Sequence, residues 1–174
     1  MLVSCEAYEN YPPGVPGRMA WLSTKLPGEM AIMRQTLLRG ATRRLPIVYG
    51  HMSKRGVPEA MMRAWLAPLA RREIQHDLRK YAGAGMKGRT DMLAATPALH
   101  SFTAPVLIAW ADDDRVMPLE TGRRLAEDFP DSRFVEIADS HTLVRWDQPA
   151  LLAGHLRAFV AEPASKGTST RARA

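Results

Sequence analysis

Two short stretches hold the side chains best suited to proton-transfer chemistry. Residues 109–118 read AWADDDRVMP, and residues 139–149 read DSHTLVRWDQP. The first sets three aspartates after an apolar run. The second carries His141, twenty-seven positions after Asp114. A carboxylate beside an imidazole is the pair that general base catalysis uses. The acid holds the ring in one tautomer, and the ring takes a proton from a nucleophile or a water. The spacing therefore raises two questions: what brings Asp114 and His141 together, and where is the nucleophile?

The flanking elements answer the first. PVLIAW (105–110) is a continuous apolar run, as expected of a strand covered on both faces. PLETGRRLAEDFP (118–130) has the spacing of an amphipathic helix with Leu119, Leu125 and Phe129 inward. RFVEIAD (133–139) reads as a second strand, and QPALLAGHLRAFVAE (148–162) as a helix whose apolar residues are Leu151, Leu152, Leu156, Phe159 and Val160. Strand–helix–strand–helix is the pattern of a parallel sheet with crossover helices. Ligands bind such sheets beyond the carboxyl ends of the strands. Asp112, Asp113 and Asp114 end one strand, and Ser140, His141 and Thr142 follow the other, so neighbouring strands would bring them to one edge.

The front of the chain has a different texture. MLVSC (1–5) reads as a short buried strand, and EAYENYPPGVPG (6–17) as a Pro/Gly-rich loop with no regular element. Residues 18–50 look helical, with breaks at Pro27–Gly28 and Pro46. A second helical region starts at Pro58, is kinked or divided at Pro68, and ends at Gly83 and Gly85. The tail PASKGTSTRARA (163–174) is small, polar and basic, and is expected to be disordered.

Composition narrows the class. The chain has 174 residues, 46% hydrophobic and 24% charged, which suits one globular domain. No apolar run reaches the length needed to span a membrane, and the N-terminus lacks a signal-peptide pattern. A single cysteine, Cys5, fits a reducing cytoplasm. The net charge of +6 is unevenly spread. Residues 21–100 hold fourteen Lys/Arg against five Asp/Glu, whereas residues 101–161 hold six against ten. A basic face could meet nucleic acid or anionic substrates. The arginines are not interleaved with aromatics as in a stacking platform, so the excess is read as solvated helix faces, with no nucleic-acid partner. His51, His76, His100 and His155 have no partners at metal-ligand spacing, so no metal or other cofactor is expected.

The residues from 104 to 160 resemble the C-terminal part of an α/β-hydrolase. The acid loop of that family often reads Gly-x-x-Asp-x-x-x-Pro. Here it is Ala111-Asp112-Asp113-Asp114-Arg115-Val116-Met117-Pro118, with Ala in place of Gly and the Asp–Pro spacing kept. HTLVRWDQPALLAGHLRAFV is similar to the family's histidine loop and closing helix, with Ser140 where a Gly usually precedes the His. The resemblance implies that Asp114 is the triad acid and His141 the general base, and that Asp112 and Asp113 are loop or capping residues. Glu6, after the first strand, marks an alternative place for the acid. It also implies a partial α/β-hydrolase fold: about three parallel strands with flanking helices and an inserted helical cap. Residues 1–12 and 101–162 would be core, and residues 13–100 the cap. Met30, Met33, Tyr49, Met61, Met62, Trp65 and Tyr81 could line a cap pocket, though such spacing more often marks helix packing.

The family's nucleophile sits at the centre of a Gly-x-Ser-x-Gly elbow, or has Asp or Cys there. No serine here has glycines two before and two after: Ser4 lies between Leu2 and Glu6, and Ser140 between Ala138 and Thr142. Cys5 lies between Val3 and Ala7. In the family's chain order the elbow precedes the strand that MLVSC resembles. The expectation is a fragment of a hydrolase acting on an ester, epoxide or carbon–halogen bond of a small organic substrate. Its nucleophile half would lie upstream or on a partner chain, and the chain alone would be inactive. The alternatives are a non-catalytic remnant that binds a small ligand or partner, and one half of a split enzyme.

Overall fold

The computed structural model describes residues 1–26 and 28–162; the expected tail at 163–174 lies outside the described residues, as does Pro27. The chain opens with strand β1 (Leu2–Val3) and then stays helical for nearly a hundred residues: α1 (Gly14–Ser23), α2 (Glu29–Leu38), α3 (Gly40–Arg43), α4 (Glu59–Leu66), α5 (Arg72–Gly83) and α6 (Gly85–Ala95). The rest alternates: β2 (Val106–Ala111), α7 (Leu119–Asp128), β3 (Ser132–Ile137), the single turn α8 (Val144–Asp147) and α9 (Pro149–Ala161). No helix among the described residues is long and apolar enough to cross a membrane.

The three strands form one parallel sheet in the order β1-β2-β3. Leu2 pairs with Ile108, and Val106 through Ala111 pair in step with Ser132 through Ile137. Every residue of β2 is buried. A central parallel strand is covered on both faces, so it needs an unbroken apolar run rather than an alternating one. Ile108 and Trp110 face one cluster with Val116, Met117 and Leu125. Ala109 and Ala111 face another with Ile137, Val144 and Leu152. A third cluster belongs to the helical segment and joins Leu37, Val57, Met62, Leu66 and Leu69 to Leu143 beside the histidine.

Prolines and glycines punctuate the helices, with two departures from expectation, the first being that Gly85, read with Gly83 as an end, opens α6 directly after α5. Pro58 precedes α4, and a tight turn at Ala67–Ala70 containing Pro68 separates α4 from α5. Helix α1, however, begins at Gly14, inside the stretch read as an irregular loop. Pro16 falls in its first turn, where a missing N–H costs nothing because that N–H has no helical partner. The apolar residues of α9 also divide: Leu152 is buried, while Leu151, Leu156 and Val160 are exposed.

Helix α7 lies on β2 through one close approach. A Cβ added at Gly122 would stand 2.5–2.9 Å from the ring atoms of Trp110. The fully buried indole has little room to retreat, because its Nε1 donates to the Met117 carbonyl at 2.9 Å. Gly122→Ala is therefore expected to destabilise the fold by about 1–3 kcal/mol, despite the better helix propensity of Ala, and to lower the thermal midpoint. A melt of the variant no lower than that of wild type would show that the α7–β2 contact is looser than this.

Candidate active site

The carboxyl ends of β2 and β3 carry two loops joined in strict order. Asp112 Oδ1 accepts from Ser140 N at 3.4 Å, Asp113 Oδ2 lies 3.3 Å from His141 Nε2, and Asp114 Oδ1 accepts from Thr142 Oγ1 at 2.6 Å. Three successive aspartates thus meet three successive residues of the facing loop. The parent strands end with Ala111 paired to Ile137, and the turn that follows shifts the facing loop on by two residues. Asp139 makes the turn that allows it, at φ +53, a left-handed conformation that Asp tolerates better than most residues. Beyond it Ser140 is fully buried, and its hydroxyl donates to the Ile137 carbonyl at 2.7 Å.

The acid loop is held by its own carboxylate. Asp114 Oδ1 also accepts from Val116 N at 3.0 Å and Met117 N at 2.8 Å, leading the chain to Pro118 and α7. One oxygen of Asp114 therefore shapes the loop. The other, Oδ2, is buried and has no hydrogen-bond partner, and the same is true of His141 Nδ1; among the described residues these are the two buried side-chain polar atoms left unpaired. The ring's partner in this structure is Asp113 rather than Asp114. Asp113 is partly exposed and is drawn to several cations. The Arg115 guanidinium is foremost in holding its carboxyl below the usual carboxylate range, burial opposes this, and His141 adds to the lowering. Glu6, the alternative acid, accepts the Tyr81 hydroxyl at 3.2 and 3.3 Å.

A fourth carboxylate positions the histidine. Asp147 on α8 is 2% exposed. It accepts from His141 N at 3.0 Å, Ser53 Oγ at 2.6 Å, Lys54 N at 3.0 Å and Arg55 N at 3.2 Å. It ties the loop before α4 to the histidine loop. Leu143 N reinforces the join by donating to the Met52 carbonyl at 2.8 Å, as does Trp146 Nε1 to the Gly56 carbonyl at 2.9 Å. Lys54 Nζ reaches Asp113 at 3.6 Å and Asp139 at 3.8 Å, and Arg55 bonds the Asp147 carbonyl and the Asp139 carboxylate. The sequence assigned Asp147 no role, and Ser53, Lys54 and Arg55 gave no signal, because they meet Asp147 from 92–94 residues away.

The nearby hydroxyls and the thiol are otherwise engaged. Ser53 donates to Asp147, Ser140 to a carbonyl and Thr142 to Asp114. Ser4 Oγ accepts from Ala111 N at 3.2 Å. Burial, helped by the charge of Glu6, pushes the Cys5 thiol up to about 11, so it stays protonated at neutral pH. Of the candidate pocket residues, Met30 and Met62 are buried, Trp65 stacks edge-to-face on Trp146, and Tyr81 binds Glu6. No group of His, Cys, Asp or Glu among the described residues could hold a metal ion.

Comparison with known proteins agrees with this architecture. No family model matches the chain. An uncharacterized hydrolase of Bacillus subtilis, YugF, is 32% identical over 62 residues, covering 36% of this chain and 23% of that protein. An α/β-hydrolase fold protein from Burkholderia ambifaria superposes with a TM-score of 0.59 at 21% identity, over 89% of this chain and 54% of its own. A thermophilic esterase from Thermogutta terrifontis gives 0.54 at 16% identity, over 91% and 54%. A haloalkane dehalogenase loop variant from Bradyrhizobium elkanii gives 0.59 at 18% identity, over 83% and 48%. The chain spans about half the length of these solved structures. Its three parallel strands and flanking helices are thus a partial α/β-hydrolase fold.

Asp147 sets the acid limit of this site. Burial raises its pKa, but the Ser53 hydroxyl and three backbone N–H groups outweigh burial and leave it lowered. A carboxyl depressed in the folded state contributes stability that is present above its unfolded pKa, about 4, and lost as pH falls through the folded value. Asp147→Asn is expected to cost about 2–4 kcal/mol at pH 7, since one amide cannot satisfy four donors, and to flatten the fall in stability below pH 4. Urea unfolding of both proteins from pH 7 to 3 measures this. Parallel pH profiles would mean that Asp147 does not carry the acid sensitivity.

Proposed function

We propose that the chain is the acid- and histidine-bearing part of an α/β-hydrolase acting on an ester, epoxide or carbon–halogen bond of a small organic substrate. In this reading Asp114 orients His141 as the general base. The helical segment 13–100 is the cap, and the nucleophile elbow comes from outside these 174 residues. The carrying observation is the pair of buried unpaired atoms, Asp114 Oδ2 and His141 Nδ1. Buried polar atoms without partners are rare, and these two are the acid oxygen and ring nitrogen that a triad joins.

The chemistry follows from tautomers. A neutral ring that donates Nε2–H to Asp113 carries no proton on Nδ1. The working tautomer is the reverse, with Nδ1–H donated to Asp114 and Nε2 free to take the nucleophile's proton. Asp113 is then a resting partner, displaced when the nucleophile and substrate occupy the space before Nε2. Asp147 keeps the backbone of His141 still while the ring changes partner. A second reading, a non-catalytic binding module, is favoured by the Asp113–His141 contact itself, which occupies the nitrogen that catalysis needs.

The two readings separate in the native species, whether a longer polypeptide or a complex with a partner chain. It is assayed on small esters, epoxides and haloalkanes. The hydrolase reading expects His141→Ala to lower kcat/KM by on the order of 10⁴-fold or more and Asp114→Asn by about 10⁴-fold. Asp113→Asn should stay within a few-fold of wild type. An unchanged rate in His141→Ala would sink the hydrolase reading. A large loss in Asp113→Asn with Asp114→Asn active would move the acid to Asp113. The 174-residue chain alone is expected to turn over none of these substrates.

A further inference from the structure

We infer that the helical segment carries an anion-binding pocket beside the histidine loop, built to take the carboxylate or phosphate group of a small ligand. A cavity of about 200 Å³ is lined by Arg43, Arg44, Tyr49, Ser53, Lys54 and Arg55, together with Gly50, Gly56 and Val57. Four of its nine lining residues are cations and none is an acid. The basic excess of residues 21–100, expected to be dispersed on solvated helix faces, converges in part on this one concavity.

The cations are of two kinds. Lys54 and Arg55 are already neutralised by Asp113 and Asp139 on the site side. Arg43 and Arg44 have no carboxylate within ion-pair distance among the described residues. Arg43 is 9% exposed, and its Nη1 donates to the Leu37 carbonyl at 3.0 Å. A buried guanidinium normally has a counter-ion, because desolvating the charge without one is costly. Here a carbonyl dipole holds it in place with donors to spare. Its planar fork suits a carboxylate or phosphate. Arg44 is exposed on the same wall.

The backbone around the pocket is irregular in a way that shapes it. Pro46–Gly50 forms one wide turn of π-helical type, a form found often at functional sites. Gly50 is packed so closely on the Arg44 carbonyl that any Cβ would collide with it. The strap Ser53–Arg55 also lines the cavity, and it binds Asp147 and Asp113. An anion held there lies on the segment that positions His141. That the anion is part of a substrate rests on the hydrolase reading above; the pocket itself does not.

The test uses the native species and reads binding, so its outcome is independent of catalysis. Inorganic phosphate and, separately, acetate are titrated by isothermal calorimetry and by amide NMR at constant ionic strength set with chloride. Saturable binding is expected for at least one of them, with shifts confined to residues 43–57 and the adjoining His141–Asp147 loop. Arg44→Ser, at an exposed position that should not disturb folding, is expected to weaken it by on the order of tenfold, and Arg44→Glu to abolish it. Saturation by phosphate only, or by acetate only, identifies the anion class. Shifts that chloride reproduces, or equal affinity in wild type and Arg44→Glu, would overturn the proposal. If binding holds while the native species proves inactive on every substrate, the hydrolase reading fails and the pocket stands.

Discussion

One buried carboxylate holds the two halves of this molecule in register. Asp147 accepts four hydrogen bonds, one from the backbone of His141 and three from the strap Ser53–Arg55. A carboxylate satisfied in this way stays ionised in the interior, and its charge-assisted bonds are stronger than neutral ones. Remove it and four donors lose their acceptor at once. The helical segment would then be joined to the histidine loop by Leu143 N–Met52 O, the Trp146 indole, the exposed pairs of Lys54 and Arg55 with Asp139, the Arg55 bond to the Asp147 carbonyl and the apolar contact of Leu143 with Met62 and Leu66.

The site depends on that anchor and on the sheet together. Parallel pairing of β2 with β3 brings the two strand ends side by side, and the turn at Asp139 shifts the loop by two residues so that Asp112–Asp114 meet Ser140–Thr142. The alignment settles which residues can meet but not which charge state the ring takes. Because Asp113 and Asp114 approach from adjacent positions, the histidine has two possible carboxylate partners, one partly exposed and one whose free oxygen is buried. The exposed partner is shared with Arg115 and Lys54, which weakens its hold on the ring. The buried oxygen has no competing donor. A nucleophile arriving at Nε2 would therefore compete with the weaker of the two.

The same strap borders both the Asp147 anchor and the basic cavity. Ser53 presents its hydroxyl to Asp147, Lys54 and Arg55 present their backbone N–H groups, and all three line the cavity with Arg43 and Arg44. Charge is thus sorted across a few residues: acidic toward the strand ends, basic toward the helical segment. The composition already showed this division along the chain, and the fold brings the two parts together where Lys54 and Arg55 meet Asp113 and Asp139.

Much of the architecture was legible in the chain itself, because it rests on local rules. The apolar run at 105–110, the helical spacing at 118–130, the division at Pro68 and the strand-end position of Asp114 and His141 all follow from periodicity and turn chemistry within a few residues. The lack of a Gly-x-Ser-x-Gly elbow is likewise a property of the sequence alone. What the sequence could not decide are contacts between residues far apart in it. Nothing local distinguishes Asp113 from Asp114 as the ring's partner, because both stand on one loop and His141 reaches it from 28 residues away. Nor does any pattern announce that Ser53 meets Asp147, or that Arg43 is buried without an acid. Periodicity reports which face of an element is covered, and only the packed chain decides what covers it.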